Sequence, residues 1–105
     1  MPKTILTVRA IITDPAKRAA FDDWYRREHL PQAMVAFRAE KGWRFWSATD
    51  PSAHQAMYRF ADRAAVDRAL ASDGFKTLVA DFDRDWPGIP RTREVLTLAE
   101  ETDGA

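Results

Sequence analysis

The chain has 105 residues, of which 46% are hydrophobic and 11% aromatic, and these proportions are typical of a sequence that folds into a single domain, here residues 1–105. The 16 Lys and Arg residues balance the 16 Asp and Glu residues and are interspersed with them, so no basic surface for nucleic acid or anionic membranes is expected. Cysteine is absent, which excludes disulfides, thiol nucleophiles and thiolate metal sites.

The first third of the chain is predicted to form a strand and a long helix. Residues 4–13 (TILTVRAIIT) are β-branched and apolar, as in a strand that is covered on both faces. Asp14 can cap the following helix and Pro15 suits its first position, and the helical pattern continues to about His29. Pro31 removes one amide donor, so we expect the helix to break or kink there before a shorter helical piece.

The rest of the chain is predicted to form a hairpin, a helix pair and a final strand. Residues 43–49 and 54–61 have the composition of two strands that are joined by a tight polar turn, and residues 93–99 that of a last strand. Asp62 can cap the first helix of the pair. The second helix carries an apolar stripe at helical spacing: Phe75, Leu78, Val79, Phe82 and Trp86. This order predicts an α+β ferredoxin-like fold, βαββαβ, with an antiparallel sheet and helices on one face.

Both faces of the predicted sheet carry apolar side chains. In the second strand, Trp43 and Phe45 alternate with Arg44 and Trp46, so each face receives at least one aromatic residue. One layer of helices cannot cover both faces, so we predict a homodimer that forms through the sheet faces. One of the two tryptophans would then line a cavity, and the other would lie in the dimer interface.

With this order of elements, the chain resembles the dimeric α/β-barrel superfamily, and within it the small EthD-type proteins. The resemblance covers nearly the whole chain, with Tyr58 and Phe60 matching a Tyr-x-Phe-like third strand after an aromatic-rich second strand. Six residues of the first helix are close to its W-x-x-x-H-x-P pattern: Trp24, Tyr25, Glu28, His29, Leu30 and Pro31.

This resemblance implies a homodimer whose two sheets form a barrel, with a small-molecule cavity between sheet and helices in each subunit. Proteins of this superfamily include cofactor-free monooxygenases, muconolactone-type isomerases, polyketide cyclases, haem-degrading enzymes and proteins with no settled activity, so the fold does not determine the function. The haem-degrading members use an asparagine beside a histidine. Because this chain has no asparagine, we set that subclass aside.

The helical wheel predicts an acid/base pair at the end of the first helix. It places Tyr25 and Glu28 on the buried face and His29 at its border, and a carboxylate among aromatics must be paired or have a raised pKa. We predict His29 as general base or acid, Glu28 as its orienting or proton-holding neighbour, and Tyr25 as a hydrogen-bond donor to a substrate oxygen. In the alternative, Glu28 pairs with an arginine of the sheet and His29 only satisfies the last carbonyls of the helix.

Further residues are predicted to bind a substrate. His54 lies on the same side of its strand as Tyr58 and could reach the cavity, although a histidine beside a turn is also common on surfaces. Arg59 either pairs with an acid or binds a carboxylate or enolate oxygen of the substrate. The predicted binding residues are Trp24, Trp43, Trp46, His54, Tyr58 and Arg59. No metal site is predicted, because the two histidines and the acids lack metal-ligand spacing.

Two functions are compatible with these residues. The first is a cofactor-independent enzyme that binds a small apolar or aromatic molecule with a carbonyl or phenol group, and that uses proton transfer for isomerisation, cyclisation, carbon–carbon cleavage or oxygenation. The second is a non-catalytic binding or accessory barrel. No secretory signal or membrane-spanning run is recognisable, so we expect a cytoplasmic protein without a membrane partner.

Overall fold

The structure, a computed structural model, describes residues 2–104 and contains a four-stranded antiparallel sheet. Residues 1 and 105, the ends of the predicted domain, lie outside the described residues. The strand order is β2-β3-β1-β4, which is that of a ferredoxin-like fold. The predicted fold class is therefore confirmed. The strands are β1 (Thr4–Ile11), β2 (Lys41–Trp46), β3 (Ala53–Phe60) and β4 (Arg91–Thr97).

The helices lie on one face of this sheet, and polar caps determine where several of them begin. Asp14 accepts the amide of Ala16 at the start of a short 3₁₀ turn, and Asp62 accepts the amide of Ala65 at the start of the helix pair. Ser72 separates the two helices of the pair, and its hydroxyl accepts the amide of Phe75. The helices are α1 (Arg18–Trp24), α2 (Leu30–Phe37), α3 (Arg63–Ala71) and α4 (Asp73–Asp85), and a π-helical segment (Tyr25–His29) joins α1 to α2.

The π segment lies where the sequence predicts a break at Pro31. Within it, the amide of Leu30 donates to the carbonyl of Tyr25, five residues earlier. Pro31 has no amide proton, and its ring would crowd the carbonyl of Arg27 in a regular α-helix. The wider π turn relieves this crowding, and the backbone stays right-handed through His29. The helix therefore changes its register at this point without ending.

The hydrophobic core lies between the helices and the side of the sheet that faces them. Burying an aliphatic or aromatic side chain of this kind contributes roughly 1.5–3 kcal/mol, so this layer is the main source of hydrophobic stabilisation in the fold. The sheet contributes Leu6, Ala10, Ala56, Tyr58 and Phe60, and the helical segments contribute Phe21, Tyr25, Ala33, Phe37, Val66, Ala69, Leu78 and Phe82.

The opposite face of the sheet, which we call the open face, has no helix on it. The strand register places Trp43, Phe45, Met57 and Leu96 on this face. Phe45 is 49% exposed and Leu96 is 40% exposed, which are high values for large apolar side chains. Trp43 is only partly covered, by the ammonium group of Lys41 at 5.4 Å from its ring centre. The open face thus carries a group of apolar side chains beside polar ones such as Arg59, and no helix of the described chain covers it.

Candidate active site

A small cavity lies between the sheet and the helices. Its volume is about 50 Å³, enough for about one or two water molecules but not for an aromatic substrate. Most of its wall is apolar, and the groups that could carry chemistry are a histidine, two tyrosines and an arginine. The cavity is lined by Val8, Tyr25, His29, Ala33, Phe37, Tyr58, Phe75, Leu78, Val79, Phe82 and Arg91.

His29 is held in the wall of this cavity by aromatic rings. Its ring stacks on Trp24, with centroids 4.7 Å apart and planes inclined by 21°, and it meets the rings of Tyr25 at 4.8 Å and Phe82 at 5.8 Å. Only 7% of the residue is exposed, and Nδ1 is buried without a hydrogen-bond partner among residues 2–104. A buried polar atom without a partner is costly in a stable core and is therefore a reason to suspect a ligand or a water at this point.

The surroundings of His29 favour its neutral form. Burial is the main cause that lowers the pKa of His29 from 6.5 to about 4, and the guanidinium of Arg91 adds to it. The carboxylates of Asp81 and Asp85 act in the opposite direction, but they do not outweigh burial. At neutral pH the imidazole is therefore uncharged, and one of its nitrogens has a lone pair that can accept a proton.

Two tyrosine hydroxyls meet in the same cavity. The hydroxyl of Tyr25 lies 3.4 Å from that of Tyr58, and burial raises the pKa of both groups above their ordinary value. Both therefore stay protonated at neutral pH. Because the pair shares only one hydrogen bond, one hydroxyl proton remains to be donated to another oxygen. An oxygen in the cavity that develops negative charge would meet this donor.

A second polar network lies beside the cavity, around His54. A guanidinium only donates, so the Nη1 of Arg44 donates to the Nε2 of His54 at 3.2 Å, which places the proton of the neutral ring on Nδ1. Burial and Arg44 lower the pKa of His54 to about 4. Asp22 accepts from Arg44 at 2.9 Å and from the Nε1 of Trp46 at 2.8 Å. The ring centroid of His54 lies 4.6 Å from that of Tyr25, so this network packs against a residue of the cavity wall.

The prediction for Glu28 is wrong with respect to its position. Glu28 is exposed and makes none of the side-chain hydrogen bonds or ion pairs found in residues 2–104. The helical wheel assumed about 3.6 residues per turn throughout, whereas the π turn holds more residues in a turn and so rotates the later ones. His29 therefore occupies the buried side together with Tyr25, and Glu28 faces the solvent.

The other predicted residues are divided between the two faces of the sheet. Trp24, Tyr58 and His54 lie on the helix side, and Trp46 joins them through its contact with Phe21 at 6.1 Å between ring centroids. Trp43, by contrast, lies on the open face together with Arg59, so neither reaches the cavity. The Nε of Arg59 donates to Glu40 at 3.2 Å. Its predicted pairing with an acid is found, and its predicted contact with a substrate has no support in this position.

Two polar residues of the site were not predicted. A helical wheel places Asp22 on the solvent side of the first helix, yet its carboxylate accepts hydrogen bonds from Arg44 and Trp46. Arg91 was placed in the loop before a last strand at 93–99, whereas β4 begins at Arg91 itself. In a strand that begins at residue 91, residues 91, 93 and 95 lie on the same side of the sheet. This alternation is the sequence signal that would place Arg91 on the helix side, beside the cavity.

Among residues 2–104, no group of three or more His, Asp or Glu side chains is arranged to hold a metal ion. Within the same residues, no helix combines the length and the hydrophobicity needed to cross a membrane.

Comparison with known proteins supports the fold. Protein-family models give no match for this chain, and a search of curated proteins gives none either. Among solved structures, an ethyl tert-butyl ether D (EthD) family protein from Bacillus halodurans superimposes with a TM-score of 0.69 and 15% identity, covering 94% of this chain and 99% of the other. The resemblance to EthD-type proteins is thus confirmed at the level of the fold.

Two further solved structures have the same fold. SnoaB from Streptomyces nogalater, described as a cofactor-independent oxygenase, has a TM-score of 0.67 and 14% identity over 96% of this chain and 97% of its own. HapK from Hahella chejuensis has a TM-score of 0.67 and 20% identity over 98% of this chain and 96% of its own. At these identities the likeness extends to the architecture and not to individual site residues.

Proposed function

We propose that this protein is a cofactor-independent enzyme that binds a small, largely apolar carbonyl or phenolic molecule between its sheet and helices and moves a proton with His29. The observation that carries the proposal is the buried neutral imidazole of His29 in a cavity wall that it shares with the Tyr25–Tyr58 pair. The description of SnoaB as a cofactor-independent oxygenase supports this class of chemistry for the fold.

In this proposal His29 accepts a proton from an acidic C–H or O–H group of the substrate. The bonding electrons remain on the substrate as an enolate or phenolate, whose oxygen accepts a hydrogen bond from Tyr25 or Tyr58. A histidine with a pKa of about 4 is a weak base in the empty site. The anion that forms beside it supplies an opposite charge and raises this pKa as the proton arrives, so the transfer becomes favourable when the substrate is bound.

The substrate needs more room than the inner cavity offers. An outer cleft of about 340 Å³ adjoins this cavity, and the two share Val8, Phe75, Val79 and Arg91 as lining residues. Pockets for small organic ligands typically begin at about 300 Å³. We therefore place the body of the substrate in the outer cleft, with its reacting end displacing the contents of the inner cavity.

We further propose that the protein is a homodimer in which two open faces pack together. Trp43, Phe45 and Leu96 would be removed from water by this contact, which is the main driving force for association. Neither the cavity nor the outer cleft opens through the apolar part of this face, because His29, Tyr25 and Phe75 come from the helix side.

A second candidate is a binding or accessory protein without catalytic activity. The small volume of the inner cavity favours it, because a ligand in the outer cleft alone would not touch the deeper hydroxyl pair. In that case the aromatic contacts of His29 would serve only to pack the core.

The two candidates differ in whether the protein removes a proton from a ligand that it binds. The probe is 2-tetralone, a bicyclic ketone with acidic C–H groups beside its carbonyl, dissolved in D₂O with the protein and followed by proton NMR. The proposed enzyme accelerates deuteration of these positions above the rate in buffer of the same pH. Binding of 2-tetralone in calorimetry without such acceleration would support the accessory protein and refute the catalytic proposal.

A further inference from the structure

The outer cleft between α4 and β4 combines an apolar floor with two arginines. Its lining consists of Val8, Phe75, Val79, Arg91, Thr92 and Arg93. The register of β4 against β1 places Arg91 opposite Ala10 and Arg93 opposite Val8, so both guanidiniums leave the sheet on the side of the helices. Guanidinium donors are therefore available beside apolar side chains in this cleft.

The two arginines differ in whether a nearby carboxylate compensates their positive charge. The Nη2 of Arg91 donates to the carboxylate of Asp83 at 2.6 Å, and its guanidinium lies 3.9 Å from the ring centre of Phe82. Arg93 takes part in none of the ion pairs found among residues 2–104, and its guanidinium lies 4.9 Å above the ring of Phe75. Stacking on an aromatic ring orients a guanidinium but leaves its charge uncompensated and its in-plane donors available.

We propose that this cleft binds a substrate that carries a carboxylate on an apolar, ring-containing body. The body packs on Phe75 and Val79, and the carboxylate binds the guanidinium of Arg93 by two parallel hydrogen bonds. This inference rests on the proposed function and adds the substrate class to it.

The position of Arg91 connects this binding site with the inner cavity. Arg91 lines both the outer cleft and the cavity that contains His29. A carboxylate at Arg93 therefore anchors the substrate at the outer end of the cleft, and the opposite end of the molecule points along the floor toward His29. Such an anchor holds the reacting group at a defined distance from the base, which is a main source of enzymatic rate enhancement.

The test compares 2-naphthoate with 2-naphthamide, which have the same rings but differ in charge, by titration calorimetry at low ionic strength. We expect the wild-type protein to bind naphthoate about tenfold more tightly than the amide, and Arg93→Gln to remove this difference by weakening naphthoate alone. Arg93 is exposed, so this substitution should not disturb folding, which a thermal melt of the variant verifies. The matched control is Arg63→Gln, which removes an equal charge from an exposed position on α3.

Three results would overturn the inference. One is equal affinity of the wild-type protein for naphthoate and naphthamide, another is an equal loss for both ligands in Arg93→Gln, and the third is an equal effect of Arg63→Gln. None of these results would contradict the proposed function, because 2-tetralone is uncharged and its deuteration does not require a carboxylate bound at Arg93. Conversely, a carboxylate preference without any deuteration of 2-tetralone would leave the binding site in place and remove the proposed catalysis on which its role depends.

Discussion

The indole of Trp24 is stacked on the imidazole of His29, with the ring centroids 4.7 Å apart. The indole itself is held by its Nε1, which donates to the carboxylate of Asp85 at 3.1 Å. The indole thus covers one face of the imidazole, and the rings of Tyr25 and Phe82 meet the imidazole in edge-type contacts. The orientation and the desolvation of His29, the candidate base, therefore depend on Trp24, which covers its ring.

The first prediction concerns this cover. In Trp24→Leu, water reaches His29, and because burial is the main cause of the depressed pKa, that pKa should rise from about 4 toward 6.5. The free energy of unfolding should fall by about 2 kcal/mol through lost packing. An NMR titration of the imidazole protons measures the shift. Trp43→Leu on the open face is the control, and an unchanged titration of His29 in Trp24→Leu would contradict the assigned role.

The second prediction concerns stability at low pH. His29 and His54 have pKa values of about 4 in the folded protein and 6.5 as the ordinary value, so the unfolded chain binds more protons between these limits. The stability that depends on their neutral form is complete above about pH 6.5 and is lost as the pH falls toward 4. At pH 5 each histidine should lower the free energy of unfolding by about 2 kcal/mol, less where water enters the core.

Chemical denaturation at about pH 7 and about pH 5 measures this decrease in the free energy of unfolding. Most carboxylates do not titrate between these two pH values. Between these two pH values, the free energy of unfolding of His29→Gln should fall by about half as much as that of the wild type, because one of the two titrating rings is removed. Equal stability of the wild-type protein at both pH values would show that the histidines are not desolvated as described.

The third prediction concerns the π segment. Pro31 is exposed, but Pro31→Ala restores an amide that can donate to the carbonyl of Arg27, so a regular α-helix becomes available. In that register His29 moves toward the border of the buried face, and its pKa should rise by NMR titration. Stability should change by less than about 1 kcal/mol, because no buried side chain is removed. Pro87→Ala, at an exposed site after α4, is the control. If His29 titrates as in the wild type, packing rather than Pro31 determines the π turn.

The fourth prediction concerns the homodimer. Phe45→Glu places a charge on the open face and should shift the protein from twice the chain mass of 12.0 kDa to a single chain in sedimentation experiments. Val35→Glu is the matched control, since Val35 is 80% exposed on α2, away from the open face. A wild-type protein that sediments as a single chain at high concentration, or equal effects of both variants, would contradict the assembly.

The order of elements could be predicted because each one carries a local signal. The caps Asp14 and Asp62, the β-branched first strand and the apolar stripe of α4 depend only on near neighbours in the chain, and they lie where these signals place them. The separation of Trp43 from Trp46 also followed from the two-residue period of a strand.

The details of the site could not be predicted because they depend on a register change and on distant partners. A helical wheel applies the same rotation to every residue, so it places Glu28 on the buried face of the helix. The π turn before Pro31 changes this rotation and brings His29 to the buried face instead. The partner of Arg44 is Asp22, which lies 22 positions away in sequence and on another element. No spacing rule connects such a pair, since its distance is determined by how α1 packs on the sheet.

The most direct measurement of the central claim is the rate of 2-tetralone deuteration by two single variants. His29→Gln removes the base but retains a polar side chain of similar length, and Glu28→Gln changes the adjacent exposed residue. We predict that His29→Gln lowers the catalysed rate by about 100-fold or more, and that Glu28→Gln leaves it within about twofold of the wild type. A His29→Gln variant as active as the wild type, or a loss found only in Glu28→Gln, would contradict the assignment of His29 as the base.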